Sequence, residues 1–248
     1  MKKQTLLIFS LCMFPFIFFG QEGHVTQPGN GLTSAGLNAG IASSNSTYFG
    51  ENAGRNSTGD TNTFIGFNTG VNDAAKGGVF VGAQAGYSNT SGYYNSMVGY
   101  YAGYRNTEGD YNTFLGTNAG FRNTIGSYNT FLGMYSGSGN DEGSRNTFIG
   151  YMSGRDNISG HQNVIIGDRA GIKNQSGYFN TFLGNTSGYY NTEGSANTFL
   201  GSGSGYRNST GEGNVIIGYR AGSHTTEGNS NTIIGKKAGY KLASGSGN

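Results

Sequence analysis

Apolar and polar positions recur with a fixed period along most of the chain. The segment 112–128 reads N-T-F-L-G-T-N-A-G-F-R-N-T-I-G-S-Y, and the same pattern begins again at Asn129 and at Asn146. We number the positions of this unit from 1, at its first asparagine, to 17. The glycine at position 5 recurs from Gly50 to Gly235, at two steps of 16 residues and then at nine steps of 17. Self-similarity of this length is typical of repeat architectures.

Each unit predicts one coil of a β-solenoid. Positions 2 to 4 are a short run of strand-forming residues that ends at a glycine, and 17 residues are too few for a pair of helices. We expect two or three short strands in each coil. Tight corners are expected at the glycines of positions 5, 9 and 15, where φ is positive or the backbone approaches a neighbour closely. The predicted fold class is therefore all-β, a repetitive β-solenoid of about twelve to thirteen coils of mostly 17 residues.

Asparagine occupies positions 1 and 12 of most units. This residue tolerates the left-handed backbone conformation and can bond its own backbone at turns. Equivalent residues of stacked coils lie one above the other, so we also expect ladders in which side-chain amides bond each other. With about 4.8 Å between coils, the repeats would form a rod roughly 55–60 Å long.

Positions 3 and 4 are both apolar, as in Phe114 and Leu115. Because neighbours on a strand point to opposite sides, one column should fill the interior and the other should point away from it. A strand bent at a corner would instead bury both columns. An exposed column would exceed the apolar patch of roughly 300–600 Å² that is usual for a monomer. Identical chains around a common axis can cover such a stripe, which predicts a parallel homotrimer.

The N-terminal residues predict a secretory signal peptide. Lys2 and Lys3 precede the apolar run 6–19, and Gly20 is a small residue at a plausible cleavage site. A membrane anchor is the alternative. The run is short for a membrane span and Pro15 interrupts it, so we favour cleavage.

These features divide the chain into a signal peptide (1–20), a polar leader or linker (21–35) and a solenoid domain (36–248). Cys12 is the single cysteine, so its removal with the signal leaves no disulfide and no thiol chemistry. Asn248 falls where the next unit should open, and we therefore expect the chain to be truncated at its C-terminus.

Charge and motif content exclude several function classes. Without Lys2 and Lys3, 13 basic residues face 13 acidic ones, so there is no basic face for nucleic acid. The histidines His24, His161 and His224 lack the spacing of metal ligands. Acidic residues drift among unit positions, whereas a hydrolase on this scaffold would need carboxylates clustered across adjacent coils. We predict no catalytic, cofactor-binding or metal-binding residues, no cofactor and no enzyme activity.

The remaining signals lie at positions that we expect to be exposed. Tyrosine or phenylalanine recurs at position 10, and tyrosine at position 17, with arginine beside some of them. Such residues can make an adhesive or glycan-binding surface, or they can pack over the glycine corners. Threonine recurs at position 2, where a regular ladder could order water on ice, although Val164 and Val215 interrupt it and Ser96 replaces it once.

The units N-T-F-L-G followed by A-G or S-G resemble the head repeats of YadA-type trimeric autotransporter adhesins. They are also similar to the glycine- and asparagine-rich repeats of surface proteins from Bacteroidetes-type bacteria. The resemblance covers residues 36–248 and implies a left-handed parallel β-roll, three chains around one axis and an adhesive role at the cell surface. The unit is longer than the YadA-type repeat, which only the coil from Gly36 to Gly50 approaches. No coiled-coil stalk occurs in this stretch, so a means of membrane attachment is not carried over.

These expectations describe a secreted or cell-surface structural repeat protein, associated with the bacterial outer membrane. We expect an adhesin head that attaches to host, matrix or other cells. Its expected partners are two further copies of the chain and a host matrix protein or glycan. We expect no nucleic acid partner and no integral membrane segment in 36–248. The alternatives are an ice- or crystal-surface-binding solenoid, or a fibre or shaft segment of a phage-like or surface appendage.

Overall fold

Thirteen short parallel strands form one sheet, in which the strand order follows the chain. The computed structural model describes residues 31–242 and 244–247, so the predicted signal peptide and most of the predicted leader lie outside the described residues. No helix occurs among the described residues, and the predicted all-β solenoid is confirmed. The strands are β1 (Thr33–Ala35), β2 (Thr47–Phe49), β3 (Thr63–Ile65), β4 (Val79–Val81), β5 (Ser96–Val98), β6 (Thr113–Leu115), β7 (Thr130–Leu132), β8 (Thr147–Ile149), β9 (Val164–Ile166), β10 (Thr181–Leu183), β11 (Thr198–Leu200), β12 (Val215–Ile217) and β13 (Thr232–Ile234).

Each coil contains a single strand of three residues, so the expectation of two or three strands per coil was wrong. The rest of the coil is a series of turns that bond to the next coil through isolated backbone hydrogen bonds. The amide of Gly120 donates to the carbonyl of Ser136, and the amide of Arg122 donates to that of Ser138, each at 3.0 Å. These segments satisfy their backbone groups between coils as strands do, but they turn too sharply to form regular ladders.

The first strand lies inside the segment that the sequence assigned to the leader. Thr33–Ala35 pair in register with Thr47–Phe49, and the unit period therefore begins before Gly36. This coil has 14 residues between paired positions instead of 17, because Thr33 is opposite Thr47.

One column of large apolar side chains fills most of the interior, beside the small buried residues of position 8. Position 3 of the unit is fully buried in nearly every coil, and its rings stack along the rod, with centroids 5.0 Å apart for Phe114 and Phe131. Leu115, the neighbour at position 4, is 43% exposed. The prediction of one inward and one outward column is confirmed, and the inward one is the aromatic column. Its members are Tyr48, Phe64, Phe80, Met97, Phe114, Phe131, Phe148, Ile165, Phe182, Phe199, Ile216 and Ile233.

The asparagines of position 12 form the expected amide ladder inside the coil. Each Nδ2 donates to Oδ1 of the equivalent asparagine in the preceding coil, at 2.6–2.8 Å, and also to the carbonyl of the glycine at position 15. Both hydrogens of the amide are therefore used in a site that water does not reach. The donors of this ladder are Asn106, Asn123, Asn140, Asn157, Asn174, Asn191 and Asn208.

The asparagines of position 1 make a second ladder with a different geometry. The backbone amide of Asn129 donates to Oδ1 of Asn112 at 2.9 Å, while Nδ2 of Asn129 donates to the carbonyl of Gly143 at 2.8 Å. Neither asparagine position has a positive φ, contrary to the turn role considered from sequence. Outside the glycines, positive φ belongs to positions 7 and 17, as in Asn118 (56°) and Tyr128 (60°). The regular spacing of asparagine thus places its side chains where they form buried hydrogen bonds between coils.

Two glycine positions show why the repeat needs that residue. Gly120, at position 9, has φ of 59°, and a Cβ there would lie 2.7 Å from the ring of Phe114. Gly126, at position 15, has ordinary φ, but its Cβ would lie 2.4 Å from the carbonyl oxygen of Gly143. The first glycine makes room for the aromatic column, and the second lets adjacent coils approach.

The ladder predicts a large cost for removing one buried amide. In Asn140→Ala, the amide of Asn157 loses its acceptor, and the carbonyls of Gly143 and Asn123 lose a donor. Leaving buried polar groups unsatisfied costs about 1–3 kcal/mol each, so we expect the free energy of unfolding to fall by at least about 2 kcal/mol. Chemical denaturation followed by circular dichroism measures this fall.

The matched control is Asn72→Ala. Asn72 is exposed and accepts one hydrogen bond, at 2.9 Å, from Asn56. A surface change of this kind should alter stability by no more than about 0.5 kcal/mol. Equal effects of the two substitutions would contradict a stabilising role for the ladder.

Candidate functional site

The outer face of the sheet presents two parallel columns of side chains. Position 2 supplies mainly threonine and position 4 supplies leucine, isoleucine or valine, on either side of the buried position 3. Four leucines of position 4 are 40–44% exposed although each lies beside another aliphatic side chain of its column. This face is continuous from β1 to β13, so it is an apolar stripe as long as the sheet. The four leucines are Leu115, Leu132, Leu183 and Leu200.

Aromatic columns run along other faces of the rod. At position 10, the rings of Tyr104 and Phe121 stack with centroids 5.3 Å apart and planes within 6°. At position 17, Tyr111 and Tyr128 stack at 5.1 Å, and the guanidinium of Arg145 lies 5.7 Å from the ring centroid of Tyr128. The rings of position 10 are half-buried and those of position 17 are exposed. The rings therefore pack on each other and also remain accessible.

The left-handed backbone at position 17 is a property of the coil. Tyr94, Tyr111 and Tyr128 have φ of 54–60°, which is uncommon for bulky residues. The same φ occurs at Arg145 and Gln162 at this position, so the coil geometry imposes it whatever the side chain. This corner holds each side chain outward in the same direction, which aligns the column.

One cluster of charged side chains is neutralised by ion pairs within the chain. Asp156 accepts from Nη2 of Arg155 at 2.9 Å and from Nζ of Lys173, in the next coil, at 2.8 Å. Burial opposes ionisation of Asp156, but the hydrogen bonds from Arg155 and Lys173 outweigh it and hold its pKa below the usual range. The two cations are therefore occupied by a carboxylate of the same chain.

A buried carboxylate ends the position 12 ladder. Asp73 stands where later coils have asparagine, and it accepts hydrogen bonds from Nδ2 of Asn89 and from Nδ2 of Asn62, the latter at 2.8 Å. Every amide of the ladder donates towards Asp73, so an acceptor is needed at this end. Burial raises the pKa of Asp73 to about 7, although both amide donors act in the opposite direction.

Sequence reasoning missed Asp73. It considered the acidic residues as candidates for a repeated pair and found none. The signal that could have identified it is the replacement of asparagine at position 12, since position 12 is asparagine from Asn89 to Asn208.

The histidines and the other aspartates are dispersed over separate coils. His24 lies outside the described residues. The ring of His161 stacks on Tyr178 at 5.1 Å, and that of His224 meets the edge of Tyr240 at 4.6 Å. Asp110 accepts from the backbone amide of Tyr93, so it serves a turn. Within residues 31–242 and 244–247, no three histidine, cysteine or acidic side chains form a group that could hold a metal ion.

No helix among the described residues is both long enough and apolar enough to cross a membrane. Comparison of the chain with protein-family models, with curated proteins and with solved structures found no match.

The raised pKa of Asp73 predicts that stability decreases with rising pH. Between about pH 4 and pH 7, the folded chain keeps a proton on Asp73 that the unfolded chain has released. Stability is then greatest below the unfolded pKa and declines until the folded pKa is passed. The decline should total at most about 4 kcal/mol, and denaturant midpoints measured from pH 4 to pH 8 will show it.

Asp73→Asn should abolish this decline, because the replacement does not ionise. Asp168→Asn is the matched control, since Asp168 is exposed and should leave the pH profile unchanged. A profile that keeps its slope in Asp73→Asn would assign the pH dependence to another group.

Proposed function

We propose that the chain is a structural adhesion module that attaches to other cells or to matrix through its surface columns. The observation that carries this proposal is the alignment of exposed apolar and aromatic side chains along a rod whose backbone is bonded from coil to coil. Many weak contacts repeated at a fixed spacing add to strong attachment without any single deep pocket. The resemblance to YadA-type head repeats supports the same function.

The secreted or outer-surface location belongs to the same proposal. It is supported by the basic and apolar pattern of residues 1–20 and by the surface location of the proteins that the repeats resemble. A column of tyrosine and arginine suits contact with sugars and protein surfaces, since both residues are common in binding interfaces.

The same proposal includes a parallel homotrimer. Six leucine and isoleucine side chains of the outer sheet face are 40–63% exposed. Full burial of such a side chain is worth about 1.5–3 kcal/mol, and covering the exposed part of each one along the column would favour association after its entropic cost. Three identical faces around one axis would cover the stripe on each chain.

Binding to an ice or crystal surface is the second candidate function. It is favoured by the exposed threonines of position 2, such as Thr113 and Thr130, which repeat in register on parallel strands. Val79, Ser96, Val164 and Val215 interrupt this ladder. A trimer would cover this face, whereas ice binding needs it free, so the two uses exclude each other.

The adhesion proposal predicts binding that depends on the exposed aromatic column. The full chain should bind to at least one of host matrix, glycan or bacterial cells in a surface-plate assay. Replacing Tyr94, Tyr111 and Tyr128 with serine should weaken that binding by about tenfold, because aromatic side chains dominate contact energies.

The control variant replaces Ile125 and Ile158 with serine. Both are exposed apolar residues, at 48% and 49%, but they lie at positions 14 and 13, outside the columns. Absence of binding by the folded, unmodified chain to all three surfaces would exclude adhesion as its function.

The trimer proposal predicts opposite outcomes for two sets of serine substitutions. The first set changes the exposed leucines Leu115, Leu132, Leu183 and Leu200. The second set changes the buried phenylalanines Phe114, Phe131, Phe182 and Phe199. Sedimentation and circular dichroism should show soluble, β-rich monomers for the first set, because only the association surface is lost. The second set should unfold, since each buried phenylalanine is worth about 3 kcal/mol or more.

An unmodified chain that sediments as a stable monomer at micromolar concentration would exclude the trimer. Thermal hysteresis measured on the same sample then decides whether the free threonine face binds ice.

A further inference from the structure

A groove interrupts the surface columns near the C-terminal end of the rod. Its volume is about 620 Å³, which lies in the range of small-molecule sites. The groove is lined by Ser202, Gly203 and Ser223, at positions 6, 7 and 10, where most other coils carry larger side chains. Tyr206 and Tyr240 lie on its two sides, and we call it the Tyr206 groove.

The groove lies where the position 10 column lacks an aromatic ring. Upstream, Tyr189 stacks on Tyr206 with centroids 5.2 Å apart. The next coil has Ser223 at this position, so the other side of Tyr206 faces a hydroxyl instead of a ring. Tyr206 and Tyr240 are two coils apart, which at the usual strand spacing is roughly 10 Å. The ring of His224 meets the edge of Tyr240 at 4.6 Å, so the space for a ring of another molecule lies against Tyr206.

The groove has a positive lining. Arg207 and Arg220 contribute to it, and none of its lining residues is acidic. In the described part of the chain, neither guanidinium lies within salt-bridge distance of a carboxylate. The cluster around Asp156 differs, because there the chain supplies its own carboxylate to the cations. The two guanidinium groups of the Tyr206 groove therefore have no carboxylate of the described chain as an ion-pair partner.

The other lining groups are hydroxyls and an amide. Ser202, Thr186 and the tyrosine hydroxyls can donate or accept, and Asn185 offers an amide that also bonds Asp168 at 2.9 Å. A sugar ring matches this mixture, because its C–H face packs on an aromatic ring while its hydroxyls bond the polar groups. Arginine binds carboxylates through two parallel hydrogen bonds.

We propose that the Tyr206 groove binds the acidic sugar unit of a glycan, a pyranose ring that carries a carboxylate. The pyranose ring lies against Tyr206, at the level of Ser223, and its carboxylate is bound by Arg207 and Arg220. This inference rests on the adhesion function proposed above and names the ligand class for it. Nucleic acid is disfavoured because the chain's formal charge is only +2, which provides no extended basic face.

Calorimetric titration of the full chain tests the proposal with three probes. Trigalacturonic acid carries uronic carboxylates, sialyllactose carries a sialic carboxylate, and lactose is the neutral control. At least one acidic probe should bind about tenfold more tightly than lactose, since a charge-assisted pair separates them. The tighter of the two acidic probes identifies the source of the carboxylate.

Ser223→Tyr completes the column and should weaken binding of the acidic probe by about tenfold or more, because the added ring occupies the slot. Ser138→Tyr is the matched control, since it adds the same ring at position 10 of a distant coil. Arg207→Gln and Arg220→Gln should each weaken the acidic probe by about tenfold while leaving lactose unchanged. Arg122→Gln, an exposed arginine at the same position as Arg207, should have no effect.

Equal affinity of all three probes, or unchanged binding in Arg207→Gln and Arg220→Gln, would overturn the proposal even if Ser223→Tyr does not fold. The adhesion assay separates the two ideas. A chain that adheres normally with Arg207→Gln and Arg220→Gln retains the adhesion function without this site. A chain that binds the acidic probe but adheres to no surface retains the site without the adhesion function.

Discussion

The hydrogen bonds of buried asparagine amides are the interaction on which this fold depends. A coil of 17 residues encloses one large apolar side chain at position 3, so its core is too narrow for a layered hydrophobic interior. The remaining interior is filled by the small side chains of position 8 and by two asparagines whose donors and acceptors are met by the adjacent coils. An unpaired buried amide is costly, and the pairing therefore requires every coil to keep the same register and the same rise.

That constraint extends to the surface. Because each coil repeats the previous one at nearly the same rise, equivalent exposed residues lie one above another, as the stacked rings of Tyr111 and Tyr128 show. The left-handed corner at position 17 fixes their direction whatever the residue type. A repeat selected for its interior thus produces ordered columns on its exterior, and such columns suit contact with extended or repetitive partners.

The period of the sequence was sufficient to predict the parallel solenoid, the register and the amide ladder. Period alone did not tell which of Phe114 and Leu115 points inward, because both are apolar and adjacent. The structure places the ring inward, where the rings of Phe114 and Phe131 stack with centroids 5.0 Å apart. The number of strands per coil was mispredicted, since turns that bond between coils use the same glycine and asparagine residues as the connections between strands. Asp73 was not predicted because its role depends on the direction in which the amides of the position 12 ladder donate, and the sequence does not show that direction.

In a repetitive rod, local features arise at positions where the residue differs from the one that the repeat usually has. Asp73 departs at the end of an amide ladder, where a carboxylate accepts what no further asparagine accepts. Ser223 departs in a column of rings, and Gly203 departs beside it, so the surface opens into a groove. At Asp73 the hydrogen-bond partners are asparagine side chains of the same chain. The departure at Ser223 leaves Arg207 and Arg220 facing an open space, and a binding partner is what such a space can accommodate.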